Sequence, residues 1–130
     1  VLSSGLKIIS INSGNGEKPV LGSKVLVNYS GFLRNGELFD SNILDVVKLY
    51  EKYDTRRDKE GGYNPMPMDY SFDAKLIAGF KEGLLQMKIG DKVLLIIPSH
   101  LGYGNQVIGN GLIPANSDLI FELEIVGQAD

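Results

Sequence analysis

Two separated segments carry the side chains that could do chemistry. The first runs Val25-Leu26-Val27-Asn28-Tyr29-Ser30-Gly31-Phe32 and on to Phe39-Asp40-Ser41; the second is Ile97-Pro98-Ser99-His100-Leu101-Gly102-Tyr103-Gly104, followed by Leu112-Ile113-Pro114. Together they supply aromatic rings, one carboxylate and a branched aliphatic pair. No pair among them reads as a nucleophile with its base. They read as the wall of an apolar slot with a few polar tips, which points to chemistry by shape and desolvation.

Composition excludes most alternatives. The chain has no cysteine and one histidine, so thiol chemistry, zinc ribbons and histidine-based metal centres are set aside and no cofactor is expected. A formal charge of −3 argues against nucleic acid as a partner, and no apolar run is long enough to span a membrane. The glycines at 102/104 and 109/111 are not followed by the Lys-Ser/Thr of a phosphate loop. At 130 residues the chain fits one domain, residues 1–130. It opens on Val1 with no signal-peptide pattern, which reads as a processed product or an excised domain, and so as a monomer or a domain of a longer chain; the composition suits cytoplasm and cell envelope equally.

The elements that must position these residues follow from periodicity. Alternation predicts strands around Leu6–Ile11, Lys24–Leu33, Leu38–Asp40, Lys92–Pro98 and Asp118–Val126, with Asn35-Gly36 closing a tight hairpin. One helical pattern, Ala74 to Met87, places Leu76, Ile77, Phe80, Leu84 and Leu85 on a single stripe. The fold class is therefore α+β: antiparallel strands with one main helix on one face. Residues 43–69 interrupt the scheme as an insertion. Ile43, Val46, Val47 and Tyr50 have helical spacing, with Asn42 as the expected N-cap and Asp45 its partner. The charged run Arg56-Arg57-Asp58-Lys59-Glu60 reads as solvated loop, and Pro65 and Pro67 forbid a helix before residue 69.

In this order the motifs resemble the FKBP-type peptidyl-prolyl cis-trans isomerases. The resemblance rests on Val27-Asn28-Tyr29-Ser30-Gly31, Gly36-Glu37-Leu38-Phe39-Asp40-Ser41, Tyr70-Ser71-Phe72, Leu76-Ile77-Ala78-Gly79-Phe80-Lys81-Glu82-Gly83-Leu84, Gly102-Tyr103-Gly104, Leu112-Ile113-Pro114-Ala115 and the closing strand from Leu119 to Ile125. It implies a twisted antiparallel sheet wrapped around one short helix, with a helical insertion, and an activity that accelerates Xaa-Pro rotation as a folding helper. It also implies Asp40 and Tyr103 as catalytic residues, and a substrate-binding set of Tyr29, Phe39, Tyr70, Leu76, Ile77, Phe80, Ile113 and Phe121. Phe80 stands where the family usually has tryptophan, which widens the slot and is expected to weaken macrolide inhibitors more than catalysis. Proline-containing polypeptides are the implied partners. Tyr50, Tyr53, Tyr63, Met66 and Met68 of the insertion either extend the peptide surface or pack it onto the sheet. The alternative reading is a non-catalytic module of the same fold that holds a proline-containing partner.

Overall fold

A computed structural model describes residues 2–129. Its six strands are β1 (Lys7–Asn12), β2 (Ser23–Leu33), β3 (Leu38–Ser41), β4 (Met66–Tyr70), β5 (Lys92–Ile97) and β6 (Leu119–Ala129). They form one antiparallel sheet in the order β1-β5-β6-β2-β3, and β4 also pairs with β2. Three short α-helices, α1 (Leu44–Leu49), α2 (Thr55–Lys59) and α3 (Ala78–Leu84), and a 3₁₀ turn at Ser99–Leu101 complete it.

Strict alternation along β2, β5 and β6 turns one face inward. Val25, Val27, Tyr29, Val93, Leu95, Ile97, Leu119, Phe121, Leu123 and Ile125 are buried there against Phe80 and Leu84 of α3. Two glycines four residues apart let the helix backbone lie on the sheet. A Cβ at Gly79 would fall 2.6 Å from Ile97 Cγ2, and one at Gly83 would fall 2.5 Å from Leu95 Cδ1.

Helix α3 is shorter than the apolar spacing predicts. Its N-cap, Ile77, is extended (φ −59°, ψ 148°), and Leu85 caps the other end. Leu76 and Ile77 keep the stripe's spacing but stand in a turn at the helix mouth rather than in the helix. Both residues are partly buried against the core, so burial alone does not distinguish the turn from a helical turn.

Within residues 43–69 the helical spacing from Ile43 to Tyr50 does form α1, but the stretch that follows differs from the expected loop. The prolines do exclude a helix, yet from Met66 the chain is a strand, with Met66 opposite Val27 and Tyr70 opposite Ser23. Pro67 is tolerated because β4 has only one neighbour. β2 thus divides its outer edge: β4 takes residues 23–27 and β3 takes residues 30–32. Asn42 fills the gap between them. Its Oδ1 accepts from Tyr29 N (2.8 Å), and its Nδ2 donates to Val27 O (2.8 Å) and Asn64 O (3.1 Å). It is therefore not the N-cap of α1; that position is Ile43, which has no side-chain cap. No helix among the described residues is long and apolar enough to cross a membrane.

Candidate active site

Between α3, β4 and the concave face of the sheet lies a cavity of about 530 Å³ lined by Tyr29, Asp40, Met66, Met68, Lys75, Leu76, Ile77, Phe80, Tyr103 and Phe121. That volume suits a small, largely apolar group. Its floor is a chain of rings meeting edge to face. Tyr29 and Phe80 lie 6.3 Å apart at 79°, Phe80 and Phe121 5.1 Å apart at 86°, and Phe121 and Phe39 5.4 Å apart at 87°. Edge-to-face contact is the favoured geometry for aromatic quadrupoles, so the rings hold one another in place.

Asp40 forms the polar wall. It accepts from the Tyr29 hydroxyl at Oδ2 (2.8 Å) and from Arg57 Nη1 at Oδ1 (2.6 Å). Arg57 Nη2 also reaches the Tyr29 hydroxyl (3.2 Å), closing a three-membered network. The run 56–60 is therefore not all solvated loop. Asp54 caps α2 by accepting from Arg56 N and Arg57 N, and Arg57 folds back from that helix to the slot. Arg57 Nε donates to Gly62 O, and its guanidinium lies 5.1 Å from the Tyr63 ring, which stacks on Tyr53. Residue order gives no sign of this pairing, because Arg57 sits among charges of both signs and 17 residues from Asp40.

Three donors at the mouth have no partner among the described residues: the Tyr103 hydroxyl, the Ile77 backbone N–H and the Lys75 ammonium. The loop bearing Tyr103 is pinned at both ends. Ser99 N donates to Asp118 Oδ1, Gly104 N to Ser99 O, and Asn116 N to Gly104 O.

Seven of the ten expected residues are thus brought to one slot: Tyr29, Asp40, Leu76, Ile77, Phe80, Tyr103 and Phe121. Phe39 stands behind them, packed on Phe121. Ile113 is buried in the core and bridges Ile108, off the lining. Tyr70 is placed elsewhere: its hydroxyl donates to Leu85 O (3.0 Å) and Met87 O (3.2 Å) at the far end of α3. On β4 the side chains that face the slot are those of Met66 and Met68. Lys75 is the one lining residue that residue types and motifs did not point to. Within 43–69, Tyr50 packs on Phe32, while Tyr53 and Tyr63 support Arg57.

Burial shapes the titration of the phenols. The Tyr29 hydroxyl is pushed up to about 12, by desolvation first and then by the Asp40 carboxylate beside it. Burial also raises Tyr70 and Tyr103. In the unfolded chain these phenols ionise near 10, while in the folded state they stay protonated, so the unfolded state binds fewer protons in that window. Their contribution to stability is full below pH 10 and is lost as pH rises through their raised folded values, for Tyr29 about 12. Urea unfolding at pH 9 and pH 11.5 should show the fall, with about 2 kcal/mol from Tyr29 by pH 12. In Tyr29→Phe that share should vanish. An equal pH dependence in wild type and variant would remove this assignment.

The same geometry limits the chemistry. The slot offers rings, the free Tyr103, Ile77 and Lys75 donors and a carboxylate already paired, with no nucleophile set beside a base. A model of the family FKBP-type peptidyl-prolyl cis-trans isomerase matches residues 15–126. The chain is 39% identical over 125 residues to FK506-binding protein 1A of Neurospora crassa, covering 95% of this chain and 88% of that protein. It is 33% identical over 124 residues to the FKBP-type peptidyl-prolyl cis-trans isomerase FkpA of Escherichia coli, covering 95% of this chain and 38% of that one. Among solved structures, AtFKBP13 superposes with a TM-score of 0.74 at 28% identity, over 98% of this chain and 95% of that chain. A peptidyl-prolyl cis-trans isomerase from Pseudomonas syringae gives 0.72 at 28% identity, over 99% and 79%.

Proposed function

The chain belongs to the FKBP-type peptidyl-prolyl cis-trans isomerase family, and from that premise we propose how its slot turns an Xaa-Pro bond. The reaction is rotation about an amide that resonance holds planar, over a barrier of about 18–20 kcal/mol. At the twisted transition state the resonance is broken and charge separation falls. A site that strips water from the planar amide and encloses it in apolar surface favours the twisted form relative to the ground state. The observation that carries this reading is the unbroken run of edge-to-face rings from Tyr29 through Phe80 to Phe121 beneath a mouth whose free polar groups are few.

In this reading the proline ring rests on Phe80 and Phe121, with Met66 and Met68 closing the side. The Ile77 N–H and the Tyr103 hydroxyl each take a substrate carbonyl, so one flank of the peptide is fixed while the other rotates. Asp40 is a polar anchor and carries no proton to the substrate, since rotation needs none. Its carboxylate is held by Tyr29 and Arg57, which keeps a charged group at the wall without leaving it unpaired. Phe39 acts through Phe121, and Ile113 through the loop that it bridges to Ile108. Proline-containing segments of client proteins are the substrates, and ligands of the FK506 type would compete for the same floor. Residues 43–69 act as an insertion that completes the slot through Arg57 and β4.

The test is a coupled or NMR-exchange assay on a short peptide containing Leu-Pro-Phe. Wild type should accelerate isomerisation, and Tyr103→Phe/Asp40→Val should lose about ten- to a hundredfold in kcat/KM, the equivalent of one or two lost polar contacts. Wild-type rates in the double variant, with the peptide still turned over, would sink the roles given to these two residues.

A further inference from the structure

The slot carries two charged side chains, and they are not alike. Asp40 is neutralised by Arg57 at 2.6 Å. Lys75 lines the same cavity, is exposed, and forms no ion pair or side-chain hydrogen bond among the described residues. The nearest carboxylate in sequence, Asp73, accepts from the Ser71 hydroxyl at 2.7 Å and forms no ion pair with Lys75. The net field at the mouth is therefore that of one unpaired ammonium, although the whole chain carries a charge of −3.

Lys75 also sits two residues before Ile77, whose free N–H is the backbone donor of the mouth. A peptide held at that donor must pass within reach of the lysine. We propose that Lys75 sets substrate preference: clients with Glu or Asp beside the Xaa-Pro bond, on the flank that crosses Leu76–Ile77, are turned over in preference to those with Lys or Arg there. The proposal rests on the isomerase reading of the slot and adds a charge to its substrate class. The lysine works as an exposed ion-pair partner and a local steering charge. Its effect is accordingly modest and sensitive to salt.

Three peptides that differ only in carrying Glu, Ala or Lys at one position would test it, the position being either two before or one after the proline, with Leu always preceding the proline. The ratio of kcat/KM for Glu over Lys is read within each enzyme, so that any change in basal rate cancels. At low ionic strength wild type should give about fivefold at one of the two positions, in line with exposed charge pairs. The ratio should fall toward one in Lys75→Ala and at about 0.5 M salt, and drop below one in Lys75→Glu. A ratio of one at both positions in wild type, or a preference for Glu that survives Lys75→Glu, would overturn the proposal. Failure to turn over even the Ala peptide removes the isomerase reading, and this proposal with it.

Discussion

One methyl group added at Gly31 should cost the protein about 1–3 kcal/mol and more than tenfold in turnover. Gly31 lies on the inward face of β2 between Tyr29 and Leu33, opposite Asp40 on β3 and Phe121 on β6. Every other inward position there carries a large side chain, and here the space belongs to two rings. A Cβ at Gly31 would stand 2.6 Å from Phe39 Cζ and 2.7 Å from Phe121 Cε1. Those are aromatic edges with no flexible end to swing aside. Phe39 and Phe121 are already in contact, and Phe121 touches Phe80 on its other side, so displacement passes into the slot floor. Gly31→Ala should therefore lower the urea midpoint and weaken turnover together. Gly127→Ala on β6 is the contrast: nothing lies within 4 Å of its Cβ, so the loss of unfolded-state freedom should leave stability equal or slightly higher. If the two variants unfold alike and both retain full turnover, the jammed-ring account is wrong.

The glycine was visible as part of Val27-Asn28-Tyr29-Ser30-Gly31, and so was the class of fold, because period-two burial on β2, β5 and β6 is written directly in alternating side chains. The reason for the glycine was not visible, since the two rings that need its space come from strands whose register only the folded sheet fixes. Slot residues on regular elements or in strong motifs were legible: Tyr29, Asp40, Phe80, Tyr103 and Phe121. Those set by a local choice of backbone were not. Tyr70 looked like a wall residue because an aromatic pair flanks Ser71. Yet it lies on the same face of β4 as Met66 and Met68, and its hydroxyl satisfies two carbonyls at the end of α3, beyond the slot. Leu76 and Ile77 share the apolar stripe of a helix whether or not the backbone is helical, so the stripe overran the true start at Ala78. Arg57 was hidden for a different reason. A charge takes its role from the partner it meets in space, and only the folded α2 turns Arg57 toward Asp40 while Arg56 pairs with Glu60.

Asn42→Ala should be the more damaging polar change, at about 3 kcal/mol, because the side chain stands in for a missing strand. Between Val27, the last residue paired with β4, and Ser30, the first paired with β3, β2 has no neighbour on that edge. The Tyr29 N–H and the Val27 carbonyl point into this gap, and Asn42 satisfies both from a position that is 1% exposed. Removing the amide leaves a buried donor and a buried acceptor without water to replace it, each costing about 1–3 kcal/mol. The third contact, to Asn64 O, ties the start of β4 to the end of β3, so the same loss loosens the frame from which Arg57 reaches Asp40. Asn42→Asp keeps the acceptor for Tyr29 N but turns the donor toward Val27 O into a carboxylate facing a carbonyl, and should be at least as harmful as alanine. Chemical denaturation gives the cost, and hydrogen exchange locates it: the Tyr29 amide should lose protection in Asn42→Ala well before the amides of Leu123 and Ile125 on the central strand. Uniform loss of protection across the sheet would mean that Asn42 contributes only to global stability and is not a local bridge. Turnover is the last discriminator. With Tyr29 on the slot and its hydroxyl on Asp40, a freed edge at Tyr29 should reduce kcat/KM even at temperatures where the variant is fully folded.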